Sequence, residues 1–197
     1  MRRVGIYGGT FNPPHVGHIE AAKAFITQAK LDTLIIMPAF IPPHKQTDNL
    51  VNCDDRLEMC RLAFGNIPNT EISDLEISRG GKSYTYLTLQ ELASDDTELY
   101  FLCGTDMILT MDTWKNPEVI FTLAKICYIR RESDNAISEL LIEKCGDYFQ
   151  KYGADIIQIN TEAIEISSSE IRAEDGIWDS YLTANVIDYI RNQGLYK

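Results

Sequence analysis

Short continuous apolar runs alternate with longer stretches whose apolar positions recur at helical spacing, and the alternation persists along the chain. The runs Arg3-Val4-Gly5-Ile6-Tyr7, Leu34-Ile35-Ile36-Met37, Leu99-Tyr100-Phe101-Leu102, Ile126-Cys127-Tyr128-Ile129 and Ile156-Ile157-Gln158-Ile159 read as strands buried on both faces. Thr70 to Ile77 alternates loosely and reads as a further strand, followed by a turn at Arg79-Gly80-Gly81-Lys82. Helices are expected from His15 to about Lys30, with Ala21, Ala22, Phe25 and Ile26 facing inward, and from Asp54 to Phe64 behind an Asn52 cap. More are expected from Ser83 to near Ala93, from the Asn116-Pro117 pair through Leu123, and from Asn135 to Tyr152 with Gly153 as the stop. Ile166 to Arg172 opens a hydroxyl-rich helix, and Ala184 to Gln193 forms the last one, between Thr183 as cap and Gly194 as stop. Strands alternating with helices predict an α/β fold: a Rossmann-like, doubly wound, mostly parallel sheet in a single domain over residues 1–197, with its ligand over the carboxyl ends of the strands.

The first strand leads into Gly8-Gly9-Thr10-Phe11-Asn12-Pro13-Pro14-His15-Val16-Gly17-His18, which reads as the loop joining that strand to the first helix. Two glycines allow close backbone approach to a ligand, two prolines stiffen the segment, and two imidazoles one helical turn apart sit where free helix N–H groups point. This is an anion-binding arrangement. It is neither G-x-G-x-x-G nor G-x-x-x-x-G-K-[ST], so dinucleotide oxidoreductases and P-loop enzymes lose ground. The second proline-rich loop, Pro38 to Lys45, also ends in cationic groups, and the chain's three histidines, His15, His18 and His44, all fall in these two loops.

Composition narrows the partners. A net charge of −11 disfavours nucleic acid and anionic membrane surfaces, though not a phosphorylated small molecule met by locally gathered positive groups. No apolar run is long enough to cross a bilayer, and Met1-Arg2-Arg3 runs at once into the first strand, so the chain reads as cytoplasmic. The five cysteines are scattered without a C-x-x-C pair, which argues for small buried residues in a reducing compartment. Gly104 and Asp106, at the end of the Leu99–Leu102 strand, form a weak sugar-binding signal. Arg130 and Arg131 either approach a nucleotide or only border a strand.

The segment GGTFNPPHVGH resembles the signature of the H-x-G-H nucleotidyltransferase superfamily, and its full form is similar to that of the bacterial nicotinate mononucleotide adenylyltransferases. The likeness continues through PAFIPPHK at 38–45, RLEM at 56–59, LEISRGGKSYT at 75–85, FLCGTDM at 101–107, Trp114-Lys115, ISSSEIR at 166–172 and YIRNQGLY. It implies transfer of AMP from ATP to nicotinate mononucleotide by in-line attack, without a covalent enzyme intermediate. It also implies roles for single residues. His15, His18 and Arg172 are the catalytic set. Gly8, Gly9, Thr10, Phe11, Lys45, Ser167 and Ser168 lie on ATP phosphate, and Gly104 and Asp106 on its ribose. Thr85, Trp114 and His44 belong to the mononucleotide side. Magnesium is expected to ride on the ATP phosphates, without dedicated protein ligands.

Two positions depart from the family pattern: Leu87 stands where aspartate is more usual, and Ser169 replaces threonine with its hydroxyl kept. The rival readings are a transferase acting on phosphopantetheine or nicotinamide mononucleotide, and a silent nucleotide-binding module. Oligomeric state stays open, a homo-oligomer included.

Overall fold

The computed structural model describes residues 1–43, 50–129, 135–161 and 166–196. In chain order the elements are β1 (Arg2–Gly9), α1 (Val16–Ala29), β2 (Thr33–Pro38), α2 (Cys53–Phe64), β3 (Thr70–Ile72), α3 (Leu75–Arg79) and α4 (Thr85–Leu92). They continue with β4 (Thr97–Gly104), α5 (Thr105–Ile108), α6 (Pro117–Leu123), β5 (Ala124–Ile129), α7 (Asn135–Tyr152) and β6 (Ile156–Ile159). The chain closes with α8 (Ser168–Ala173), α9 (Trp178–Tyr181) and α10 (Ala184–Gln193). No helix among the described residues is long and apolar enough to cross a membrane.

The six strands form one sheet in the order β3-β2-β1-β4-β5-β6, and every pairing is parallel. The expected Rossmann-like single domain is therefore what the chain builds. From β1 the chain winds outward to β2 and β3, then returns to lay β4 on the other side of β1. The loops leaving β1 and β4 diverge, which opens a crevice between their carboxyl ends.

Side chains alternate across the sheet and supply two cores. On one face Tyr7, Tyr100, Leu102, Cys127 and Ile129 pack with Phe25 of α1, Phe64 of α2 and Ile187 of α10. On the other, Val4, Ile6, Leu99, Phe101, Ile126 and Tyr128 pack with Leu89 of α4, Ile120 of α6 and Leu141 of α7. Gly5 lets α1 approach β1 closely, because a Cβ there would lie 2.3 Å from Leu31 Cδ1 and 2.9 Å from Phe25 Cε1.

Several local expectations are corrected. The strand expected over Thr70–Ile77 ends at Ile72, and Leu75–Arg79 is helical. Local polar bonds decide the contest: the Leu75 N–H donates to Ser73 Oγ at 3.2 Å, and the Ser78 N–H and O–H donate to the Asp74 carbonyl and carboxylate at 2.7 and 3.1 Å. Gly8 and Gly9 are the last residues of β1, paired with Met37 and Pro38, and are not part of the loop. Asn116 and Thr183 do precede helices, but neither side chain caps. Their carbonyls take the first N–H groups, and the Thr183 hydroxyl is buried without a partner.

One charged side chain crosses the core. Arg56 of α2 is 1% exposed, and no carboxylate among the described residues pairs with it. Its guanidinium donates to the carbonyls of Thr10, Ala39, Phe40 and Val51 at 3.0, 2.5, 3.1 and 3.2 Å. Burial pushes its pKa down from the ordinary arginine value, so these bonds offset a real desolvation cost. They tie together the segments that leave β1, leave β2 and enter α2. Replacing Arg56 by Met would strand those carbonyls and is expected to lower unfolding free energy by about 3 kcal/mol, read from the denaturant midpoint. Arg56→Lys should recover less than half of that loss, since an ammonium cannot reproduce the planar fork.

Candidate active site

The segment after β1 is built into the protein. Phe11 to His15 are all buried, and the Asn12–Pro13 peptide is cis. Besides Arg56 on the Thr10 carbonyl, the Asn12 Oδ1 accepts from the Tyr196 hydroxyl at 2.8 Å and from the Val51 N–H at 3.4 Å. From α8, Arg172 Nη1 donates to the Asn12 carbonyl at 2.7 Å and the Ser168 hydroxyl to that of Pro13 at 2.9 Å. A polar loop stays buried here because its backbone acceptors are met by side chains from α2, α8 and the C-terminal segment.

The Phe11 ring lies on Gly9, where a Cβ would come within 2.8 Å of it. Gly9 is thus needed for internal packing as much as for ligand approach. The same ring meets His18 edge-on at 5.2 Å and Phe64 at 5.6 Å, and the residue is 2% exposed, so Phe11 is packed within the protein. The His15 and His18 rings sit 3.7 Å apart between centroids. The His15 N–H donates to His18 Nδ1 at 3.2 Å. A nitrogen that accepts carries no proton, so in the neutral His18 ring the proton is on Nε2. His15 is 3% exposed, whereas His18 is half-buried, so His18 is the more accessible of the pair.

Ser167 caps α8 in a reciprocal box. Its N–H and O–H donate to the Glu170 carboxylate at 2.8 and 2.6 Å, and its Oγ accepts from the Glu170 N–H at 3.2 Å. Those bonds hold the Glu170 pKa below the usual carboxylate range. The Ser167 side chain is therefore engaged within the protein. Arg172 also donates to Ser169 Oγ at 3.1 Å, which uses the hydroxyl kept at that position.

A cavity of about 200 Å³ opens beside this loop, between the ends of β1 and β4. Gly8, Gly9 and Thr10 form one side of it, and Asp106 and Met107 of α5 another. Thr85 opens α4 on its wall and Trp114 closes it with Lys115, whose ammonium stands 4.7 Å above the Tyr84 ring. Trp114 is braced edge-on by Phe101 at 6.3 Å. Gly104 lies against the Asp106 carboxylate, where a Cβ would fall 2.7 Å from Oδ1 and turn that side chain. Leu87, the departure from the family pattern, is not on the cavity wall.

The structure thus gathers the expected residues in two neighbouring groups that adjoin at Gly8 to Thr10, which line the cavity and lead into the loop. His15, His18, Ser168 and Arg172 surround the buried loop, while Thr85, Asp106 and Trp114 line the cavity. His44, Lys45, Arg130 and Arg131 lie outside the described residues. Glu76, Ser83 and Thr88 also line the cavity and were not singled out from sequence. Glu76 was hidden by the strand reading of its segment, while Ser83 stood in plain view in the SYT motif. Among the described residues no cluster of three or more His, Cys, Asp or Glu side chains could hold a metal.

A cytidylyltransferase-like family model matches residues 6–174. A probable nicotinate-nucleotide adenylyltransferase of Desulfatibacillum aliphaticivorans is 35% identical, the match covering 98% of this chain and 99% of that one. One from Clostridium botulinum is 34% identical over 100% and 99%. Among solved structures, the Plasmodium falciparum nicotinic acid mononucleotide adenylyltransferase complexed with NaAD superposes with a TM-score of 0.77 at 21% identity, covering 100% of this chain and 98% of its own, which is a likeness of fold. With a family model spanning the sheet and loops just described, and relatives matching end to end, the chain belongs to the cytidylyltransferase-like family and, within it, to the nicotinate-nucleotide adenylyltransferases.

Proposed function

We propose that this chain transfers the adenylyl group of ATP to nicotinate mononucleotide, giving nicotinate adenine dinucleotide and pyrophosphate. The observation that carries the reading is that Gly8 and Gly9, which end β1, line the cavity and run through Thr10 directly into the histidine loop. A mononucleotide in the cavity has its phosphate next to a triphosphate held at the loop.

In the reaction an oxygen of the mononucleotide 5′-phosphate attacks the α-phosphorus of ATP. The new P–O bond forms as the bond to the bridging oxygen breaks, and the electron pair leaves on pyrophosphate. The attacking oxygen is already anionic, so no protein base or nucleophile is required. The chain contributes positioning and charge stabilisation.

His18 donates from Nε2 to the α-phosphate, with Nδ1 fixed by the His15 N–H. Buried His15 orients that ring and reaches phosphate only at its edge. Arg172 has N–H groups beyond the two it gives to Asn12 and Ser169, and these serve the β- and γ-phosphates with Ser168 and the Ser167 backbone. Lys45 and His44, from the second loop, complete the phosphate and acceptor contacts. The Gly8–Phe11 backbone borders the phosphates, and Gly104 with Asp106 takes the adenosine ribose. Trp114 stacks on the pyridine ring, and the first N–H groups of α4, at Thr85, meet its carboxylate. A magnesium ion travels with the triphosphate in this reading.

Pyrophosphate release from ATP should be fastest with nicotinate mononucleotide and much slower with nicotinamide mononucleotide or phosphopantetheine. A preference for either of the latter overturns the acceptor assignment, and release with none of the three makes the chain a binding module. His18→Ala should keep ATP binding, measured by calorimetry, while turnover falls roughly 10²- to 10³-fold, the usual effect of losing one transition-state donor. Wild-type turnover in that variant overturns the role given to His18.

A further inference from the structure

We propose that Arg79 is a specificity-determining residue: through Thr88 it pairs and orients the Glu76 carboxylate on the cavity wall, so that an acidic acceptor can bind beside it. The inference rests on the acceptor assignment above.

Glu76 is 7% exposed, and what it lines is the acceptor cavity, among residues such as Ile6, Leu89 and Phe101. A carboxylate there opposes the entry of any ligand bearing a second carboxylate unless its charge is met within the protein. The partner is at hand. The Thr88 hydroxyl donates to Glu76 Oε1 at 2.5 Å and accepts from Arg79 Nη2 at 3.1 Å, and that same nitrogen lies 3.8 Å from Glu76 Oε1. Arg79 Nη1 is anchored by Glu91 at 3.0 Å. One hydroxyl thus stands between a carboxylate and a guanidinium and is bonded to both.

The backbone builds this triad. Glu76 and Arg79 are three residues apart on α3 and so share a helix face. The chain then leaves α3 through Gly80 and Gly81, at φ of 70° and 72°, and turns back into α4. Thr88 lies on α4 one turn beyond Thr85, so the bonds that neutralise Glu76 also fix the helix start that faces the acceptor.

Arg79→Met leaves Glu76 unpaired. It should raise KM for nicotinate mononucleotide roughly tenfold, with kcat and the KM for ATP within about twofold of wild type. KM for nicotinamide mononucleotide, which lacks the ring carboxylate, should move much less. Adding Glu76→Gln to Arg79→Met removes the stranded charge and should recover most of the lost selectivity. Equal KM shifts for both acceptors, a matching shift for ATP, or no recovery in the double variant overturns the proposal, because each is what a merely structural role would give. Should Arg79→Met fail to fold, Thr88→Val reads the same effect and Thr88→Ser should restore wild-type selectivity; equal selectivity in these two overturns the proposal as well. Wild-type protein that ignores nicotinate mononucleotide defeats the acceptor assignment, whereas normal wild-type turnover with unshifted variants defeats this inference alone.

Discussion

The loops around the candidate site are held by one arginine in the interior. Arg56 places a guanidinium in the interior and spends its donors on backbone carbonyls of three separate segments. Backbone acceptors buried at the end of a parallel sheet have no strand partner, and water cannot reach them. The fork answers several at once, where neutral side chains would need one residue for each. Because those carbonyls belong to the exits of β1 and β2 and to the entry of α2, a single interior group sets the spacing of the loops that meet the ligands.

The topology divides the labour. Parallel strands carry all their loops of interest to one end, and the reversal of order between β1 and β4 leaves that end open. On the α1 and α8 side of β1 lies the histidine loop; on the α4 and α5 side lies the cavity. A reaction between two nucleotides needs both ligands held independently and brought to a common boundary. Gly8 to Thr10 lie between the cavity and the histidine loop, and the small residues there keep the wall thin.

Much of this could be read from the chain, for identifiable reasons. Buried parallel strands announce themselves as continuous apolar runs, so five strands and the long helices fell close to where periodicity puts them. The histidine pair stands in a glycine- and proline-rich loop whose residue types carry their own chemistry, whereas Arg172, Thr85 and Trp114 were pointed to by the resemblance to the family. What was missed was set by contacts that residue type alone does not announce, some distant in sequence and some within a few residues. Nothing local marks Arg56 as buried, and a charged residue on an amphipathic helix is ordinarily placed in solvent. Read as a strand, Glu76 and Arg79 point to opposite faces; as a helix they meet. Two short Ser and Asp hydrogen bonds decided between those periods. Gly9 was read as room for a ligand, and its neighbour Phe11 shows that it is also room for a ring.

The bond from Tyr196 to Asn12 spans 184 positions. Burial pushes the tyrosine pKa up, as fits a hydroxyl kept neutral inside the protein. This contact gives the molecule a direction in time. During synthesis β1, β2 and β3 pair with near neighbours in sequence, whereas β4 must reach back to β1 across everything from α1 to α4. The loop carrying the histidines, made almost first, is secured almost last, when residues 168 to 196 fold across it. The buried loop thus gains its full set of bonds only when Ser168, Arg172 and Tyr196 are in place.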